Sequence, residues 1–370
     1  MSKIPTTLVH ITAHYPPYIG GMERVVYEIA TRLAKDPDYK IQIVTTKIGM
    51  NKDSLAEENQ PNYKVSRLKS FVVAHTPIMP GLFFRLLCMP RTSVFHVHVA
   101  QAGIPEVTIL AAKLRRIPVV MHMHCDIGAS GPAGVLIPYY KKYFLGWALR
   151  RADVVAVATE FHQGYMRDKY NLPTEPVIVS NGVDDCFFVE KPKTDKTSAL
   201  QVLYVGRLSV EKNVPLLVEA IGLVKERVNL TIVGGGYMRE DIEKAIANLP
   251  DGDKKIHMAG AIAKADLVKY YTQADVLALP SDYETQPLVI LEAFASGTPV
   301  IVSDIPTLRE TVADSGLCVA KTPEAFAAAI STFARDPKRL QQMRIAARKR
   351  GESFKWEKVV ATIKGVYSSL

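Results

Sequence analysis

The stretch PSDYETQPLVILEAFASGTPVIVSD, Pro280 to Asp304, decides how the rest of the chain is read. It opens as a loop, and Pro287 suits the first helical position, where a missing N–H costs nothing. Leu288, Ile290, Leu291 and Phe294 recur at helical spacing and predict a buried helical face. Gly297 is free to take φ > 0 and closes the helix, and TPVIVS predicts a short buried strand. Two carboxylates stand at fixed places in this frame, Glu284 in the loop and Glu292 inside the helix, with seven residues between them. The loop end of such a helix carries unpaired N–H groups and a positive dipole, which suits an anion such as phosphate. One carboxylate can face a polyol in front of the helix while the other reaches a hydroxyl pair farther along. Taken singly, each Glu reads as a solvated side chain, and agreement with other segments gives the pair its weight.

Upstream, the strand ALQVLYVG, the helix VPLLVEAIGLVKER and the strand NLTIVGGG lead through further helix and strand pairs into this stretch. The first half does the same: strand TTLVHIT, loop AHYPPYIGG, helix MERVVYEIATRLAKD, strand YKIQIVTT. Strands alternate with helices throughout, so the fold class is α/β with two doubly wound parallel sheets. Polar EKPKTDKTS (190–198) reads as the linker. It bounds an N-terminal domain at 1–190 and a second domain at 199–354, followed by a helix over 355–370. Gly20 and Gly21 stand at a helix start, where backbone can approach a phosphate closely. There is no GxGxxG, so the dinucleotide fingerprint is absent. Gly234-Gly235-Gly236 either lets the chain pass close to a nucleotide or marks a tight turn.

The 370 residues suffice for two domains, and 48% of them are hydrophobic, so both can bury a core. The net charge of +9 favours anionic partners: nucleotide phosphates, an acidic membrane surface or nucleic acid. No recognised nucleic-acid module is present, so nucleic acid is not expected as a partner. Cys88, Cys125, Cys186 and Cys318 are scattered without a CxxC and read as reduced thiols of a cytosolic protein. The N-terminal apolar run is too short for a signal peptide, and no uncharged apolar run approaches a membrane span. A cytoplasmic protein is expected. The basic, aromatic segment YYKKYFLGWALRRAD reads as a helix with its apolar side inward, or more sharply as a peripheral contact with the inner membrane face. The segment HTPIMPGLFFRLLCMPR, around Pro80 to Pro90, reads as a buried helix or as an acceptor-side surface that touches lipid.

The strands SVFHVHV and PVVMHMHCD each carry a His-x-His pair, and alternate strand residues share a face. His122 and His124, with Asp126 beyond, have the chemistry of metal ligands, but short motifs are weak signals and no metal is assigned. His96, His98 and His122 read as structural or cleft-lining.

The pattern E-x7-E followed by AxAxGxPVI resembles the donor-site signature of the retaining glycosyltransferase family 4. Other segments agree with it. The loop ending in GG-x-E resembles that family's first loop, whose glycine faces the donor phosphate. His124 is in register with the family's PVVxxxH histidine, which reaches the donor sugar. Asn181-Gly182-Val183-Asp184 resembles its NGVD, and Gly206-Arg207 followed by Glu211-Lys212 resembles its GR-x4-K. The closing Trp-containing helix resembles the family's final helix, which crosses back onto the first domain. The resemblance covers almost the whole chain and implies the GT-B architecture, two Rossmann-like domains facing across a cleft. The first would be the acceptor side and the second would bind the donor.

The activity implied is transfer of a sugar from a UDP- or GDP-sugar to a hydroxyl acceptor, a membrane lipid or a glycan precursor, with retention. In that reading Gly20, Gly21 and the chain at Thr285, Gln286, Leu288 and Val289 hold phosphate and sugar. Arg207 and Lys212 neutralise the leaving diphosphate, a contact of the kind worth about 3 kcal/mol of barrier. Glu292 accepts from the ribose diol, and Glu284 and His124 fix the sugar hydroxyls. No metal or other cofactor is expected beside the nucleotide sugar. The chain departs from the family's E-x-F-G-L at Glu284-Thr285-Gln286-Pro287-Leu288, where Pro287 has no N–H to give the sugar. The rival readings are a nucleotide-sugar epimerase or hydrolase, and a catalytically inactive nucleotide-sugar-binding protein.

Overall fold

The computed structural model describes residues 5–18, 20–48, 57–60, 62–73, 76–124, 135, 137–189, 199–249 and 255–370. The chain divides into two compact units, Met1–Ser180 with Trp356–Leu370, and Asn181–Lys355. The segment 190–198, read above as the linker, lies outside the described residues. The unit boundary falls upstream of it for a visible reason. Asn181 gives its backbone N–H to Gln286 Oε1 (2.6 Å), and Val183 gives its own to the Phe354 carbonyl (2.8 Å), so the NGVD segment is tied into the second unit.

The first unit is built on strands β1 (Thr6–Ile11), β2 (Tyr39–Thr46), β3 (Glu57–Gln60) and β4 (Tyr63–Leu68). A small antiparallel hairpin follows, β5 (Phe71–Val73) with β6 (Thr76–Ile78). Then come β7 (Ser93–Val99), β8 (Val119–Met123), β9 (Val154–Val157) and β10 (Val177–Ile178). The main sheet runs β10-β9-β8-β7-β1-β2-β4-β3 and is parallel except for β3. Its strands alternate by face. Val9, Ile11, Phe95, Val97, Val99, Val119, Met121 and Met123 pack into one apolar cluster with Leu82, Leu86, Ile109 and Leu149. The residues between them, His10, His96, His98 and His122, are buried too, and by the two-residue period they lie on the opposite face. The closing helix Trp356–Ser368 belongs to this unit, and its Tyr367 hydroxyl meets His96 Nδ1 (2.5 Å).

The second unit has six parallel strands: β11 (Leu200–Val205), β12 (Val228–Val233), β13 (Lys255–Gly260), β14 (Val276–Leu279), β15 (Val300–Ser303) and β16 (Gly316–Val319). They stand in the order β13-β12-β11-β14-β15-β16. The order reverses between β11 and β14, so the loops leaving these two strands part to opposite faces. In open α/β sheets that opening is where ligands bind.

The opening stretch folds largely as its pattern predicts, with one correction. The helix runs Leu288–Ala295, and Pro287 is its N-cap rather than its first residue. Its ψ of 129° is extended, so the chain enters the helix one residue later than the proline alone suggested. Gly297, at φ +65°, closes the helix. Its N–H bonds the Phe294 carbonyl (2.9 Å) and that of Thr298 bonds Ala293 (2.8 Å), the paired closure that a left-handed residue permits.

The triple glycine finds its close approach within the chain. Gly234 has φ +141°, and a Cβ there would strike the Gly206 carbonyl oxygen. The neighbouring backbones are bonded, Leu208 N–H to the Gly235 carbonyl (2.9 Å) and Met238 N–H to that of Leu208 (3.1 Å). These glycines therefore brace the loop that carries Arg207. Gly234→Ala is expected to destabilise the second unit by roughly 3 kcal/mol, from strain and overpacking together. Gly235→Ala, whose Cβ would meet nothing, should be near neutral. Urea midpoints at constant slope would test the pair.

Candidate active site

In the second unit Arg207, Lys212, Glu284, Thr285 and Gln286 lie on the two loops beside the strand-order reversal, and Leu288, Val289 and Glu292 lie in the helix that follows the second loop. The loop after β11 turns through a short 3₁₀ segment, Val210–Lys212, and the loop after β14 carries Ser281 to Pro287. The loops are stitched together by backbone, Asp282 N–H to the Glu211 carbonyl (2.8 Å). Lys212 Nζ then donates to Glu284 Oε1 at 2.5 Å, and Ser281 Oγ donates to the same oxygen at 2.8 Å. The Glu284 side chain is only 8% exposed and that of Lys212 21%. Thr307 Oγ1 holds the Glu284 carbonyl (2.7 Å), fixing the main chain as well as the carboxylate.

Arg207 is exposed on the same loop. Its carbonyl accepts from the Tyr204 hydroxyl (2.9 Å), which pins the turn beneath it. Burial, with the Glu284 and Glu211 charges, raises the Tyr204 phenol well above its ordinary range, so it stays a donor. Ser209 Oγ gives a hydrogen bond to Glu211 Oε1 (2.6 Å), which keeps that acid on its own loop.

Glu292 is buried in the helix and accepts from the Tyr271 hydroxyl (2.7 Å). Gln286 is also buried, and both its side-chain and backbone oxygens are engaged by Asn181, at 2.6 and 2.8 Å. It acts as a strut for the NGVD segment. Leu288 and Val289 occupy the first turn, where N–H groups have no intrahelical acceptor, and Thr285 stands just ahead of them. The structure thus gathers Lys212, Glu284, Arg207 and the helix start around the ends of β11 and β14.

In the first unit Gly20 is the N-cap of helix Gly21–Leu33. A Cβ on Gly20 would collide with the Glu23 carboxylate, whereas one on Gly21 would meet open space. The chain's own acid occupies the space beside Gly20, and only Gly21 offers a bare approach. His124 is half-buried at the end of β8 and is hydrogen-bonded through Nε2 to His98 Nδ1 (2.8 Å). Asp126, considered with His122 and His124 as a ligand, lies outside the described residues.

The sequence gives no reason to single out His10. Parallel register sets it opposite His96, as it sets His98 opposite His122. The rings form a packed block, His96 on His98 with centroids 4.4 Å apart and His122 on His124 at 4.2 Å. Two triads, His10/His96/His98 and His98/His122/His124, each bring three nitrogens within 4.8 Å. Their in-line pairs stand at 2.9 and 2.8 Å. That is hydrogen-bond spacing, closer than the roughly 3.3 Å two nitrogens keep on one tetrahedral ion with bonds near 2.0–2.1 Å.

Models of two protein families match the chain. The one described as glycosyltransferase family 4 matches residues 19–186, and the one described as glycosyl transferases group 1 matches residues 188–350. The chain belongs to glycosyltransferase family 4. It is similar to a D-inositol 3-phosphate glycosyltransferase of Kineococcus radiotolerans, with 29% identity over 302 residues, 70% of this chain and 68% of the relative. It is also similar to a GDP-mannose-dependent α-(1-6)-phosphatidylinositol dimannoside mannosyltransferase of Mycobacterium tuberculosis, with 33% identity over 215 residues, 54% of each chain. Among solved structures, the Anabaena protein HepE in complex with UDP and glucose superposes with a TM-score of 0.77 at 17% identity, covering 99% of this chain and 100% of that one. The last likeness fixes the fold as GT-B, and the family makes the chain a glycosyltransferase.

The histidine block makes stability depend on pH. Burial, with His122 close by, pushes His10 down to about 3, and burial pushes His122 to about 4. Burial first, then neighbouring rings, holds His96 and His98 well below the ordinary 6.5. These rings are neutral when folded and become charged on unfolding below pH 6.5. Their contribution is therefore full above 6.5 and is lost as pH falls from there towards 4. Each ring adds up to about 1.4 kcal/mol per pH unit to the slope. Urea unfolding at pH 7.5, 6.0 and 5.0 should show a steep fall, made shallower in the His10→Gln variant.

Proposed function

We propose that the protein transfers a sugar from a UDP- or GDP-sugar to a hydroxyl acceptor, with the anomeric configuration retained. The observation that carries this reading is the Lys212–Glu284 pair on the loops after β11 and β14, at the reversal of strand order where nucleotides bind open α/β sheets. Lys212 and Arg207 are the cations a departing diphosphate requires, and both come from a loop braced by glycine contacts. The first-turn N–H groups at Leu288 and Val289 favour the same anion, with Gly21 a further backbone approach in the first unit. Glu284, held by Lys212 and Ser281, accepts from sugar hydroxyls. Glu292 accepts from the ribose diol with its orientation set by Tyr271, and His124 is the sugar contact of the first unit.

In the step proposed, the bond from the anomeric carbon to the diphosphate oxygen breaks, and the acceptor oxygen bonds the same face. The acceptor proton goes to the leaving phosphate oxygen. The charge is met by Arg207 and Lys212, so no metal is assigned a part.

Calorimetry with UDP, GDP, ADP and their common sugars, in EDTA, should find one micromolar-class binder. Lys212→Ala should weaken that binding at least tenfold. Glu284→Gln should cut turnover about a hundredfold while nucleoside diphosphate binding stays within threefold. Equal losses in both would remove Glu284 from the sugar. Turnover of the donor with no acceptor present would instead favour the epimerase or hydrolase.

We further propose that the acceptor is carried at an anionic membrane surface. Residues 137–149 are helical, with a π-helical segment at Lys141–Leu145 that the sequence periodicity does not reveal. Leu145, Ala148 and Leu149 are buried, while Tyr139, Tyr143 and Phe144 are 59–64% exposed. Lys141, Lys142, Arg150 and Lys169 line an adjoining hollow of about 790 Å³. Exposed rings beside clustered cations suit the boundary of headgroups and acyl chains. No helix among the described residues is long and apolar enough to cross a membrane. Flotation with phosphatidylglycerol vesicles should recover the protein, phosphatidylcholine vesicles should not, and Lys141→Glu with Lys142→Glu should abolish recovery. Equal recovery by both vesicles would remove the electrostatic part of this proposal.

A further inference from the structure

His10, His96, His98, His122 and His124 of the first unit form two separate hydrogen-bonded rows. In one, the Tyr367 hydroxyl meets His96 Nδ1 (2.5 Å), and His96 Nε2 meets His122 Nδ1 (3.3 Å). In the other, His10 Nδ1 meets His98 Nε2 (2.9 Å), and His98 Nδ1 meets His124 Nε2 (2.8 Å). A neutral imidazole carries one N–H and one bare nitrogen. A ring bonded at both nitrogens therefore donates on one side and accepts on the other, and every bond in a row points the same way.

The ends decide the direction. The first row starts at a buried phenol that burial holds in its protonated form. It ends at His122, where the Val179 backbone favours a proton on the ring. Donation therefore runs from Tyr367 through His96 to His122. In the second row His10 Nε2 is enclosed and has no hydrogen-bond partner among the described residues. Donation from His124 towards His10 would leave an N–H stranded there, and a buried donor without an acceptor is rarely tolerated. The reverse direction leaves only a lone pair. Donation therefore runs from His10 through His98 to His124.

We propose that His10 and His98 are a tautomer lock, which keeps the proton of His124 on Nδ1 so that the end of β8 presents a ring N–H donor to an oxygen of the sugar nucleotide. His10 and His98 are positioning residues and touch no substrate. The part concerning the sugar rests on the role given to His124 above; the lock itself does not. The lock also accounts for a fully buried polar residue on β1, where Leu8, Val9 and Ile11, its equally buried neighbours, are apolar.

Long-range proton–nitrogen correlation spectra of the whole chain, labelled with ¹⁵N-histidine at pH 7.5, read the tautomer directly. The His124 signals are assigned by their loss in His124→Asn. The wild type should show His124 protonated on Nδ1 and bare on Nε2. His98→Phe, which removes the donor to Nε2 and lets the half-buried ring turn, should move His124 to the Nε2 tautomer or to an average of the two, whereas His10→Phe, which leaves His98 Nε2 facing an apolar ring with no acceptor, should keep His124 protonated on Nδ1. His10→Gln, whose amide oxygen can accept from His98 Nε2 as readily as its nitrogen can donate, should admit the other tautomer of His124 in part. Tyr367→Phe, which cuts only the other row, should leave His124 unchanged. A wild-type His124 protonated on Nε2 would overturn the lock without any variant having to fold, as would an Nδ1 tautomer that survives His98→Phe.

Turnover of the nucleotide sugar found by the binding panel supplies the second arm. His98→Phe should lower kcat about tenfold with the donor KM within twofold. If the spectra behave as expected and kcat does not change, the lock stands and the sugar-contact role of His124 falls.

Discussion

A carboxylate that is almost fully buried and charged needs partners for its charge, and the second unit is arranged around meeting that requirement at Glu284. Lys212 supplies the charge from one loop and Ser281 a hydroxyl from the other. Neither loop can move far without leaving an uncompensated charge, a loss of roughly 3–5 kcal/mol. The pair therefore stiffens two segments that regular secondary structure does not hold. It also keeps both groups desolvated and oriented before any ligand arrives, which is where electrostatic groups have most effect on a reaction. The glycines at 234–236 and the Tyr204 hydroxyl serve the same end from beneath, by fixing the turn that carries Arg207.

The two units handle buried polarity differently. The second compensates charge with charge. The first keeps its histidines neutral and lets each satisfy the next. Both arrangements remove polar groups from water at little net loss, but they respond differently to the medium. An ion pair at a loop junction survives a fall in pH until its carboxylate protonates. A block of neutral imidazoles begins to lose its advantage near pH 6.5, because only the unfolded chain accepts the protons.

Much of this was legible in the sequence. Strand and helix alternation gave the fold class, since parallel strands are buried on both faces and read as short apolar runs. The loop positions of Arg207, Lys212 and Glu284 followed from where those runs end. What could not be read was pairing across long sequence separations. Nothing local says that Lys212 and Glu284 share a hydrogen bond, that Gln286 braces Asn181, or that Glu23 folds over Gly20. His10 stood in a strand of ordinary appearance, and only register against β7 brings it into the histidine block. The entry of the helix after Pro287 was missed by one residue, because proline constrains φ but leaves ψ open. The π-helical segment at Lys141–Leu145 had no local signature, since it departs from the period by which helices are recognised.

The closing helix brings a constraint of another kind. Trp356–Leu370 belongs to the first unit although the whole of the second unit separates it from Ser180. During synthesis, the face of the sheet that bears the histidines must wait for Tyr367 until the intervening unit has emerged. The second unit is continuous in the chain and can close first. Its partner stays open on one side, its buried His96 still without Tyr367 and its sheet without the apolar side, Val359 and Ile363, that the closing helix brings. The order of maturation is thus the reverse of the order of translation, and the waiting half is the one exposed to capture by chaperones or to wrong pairing.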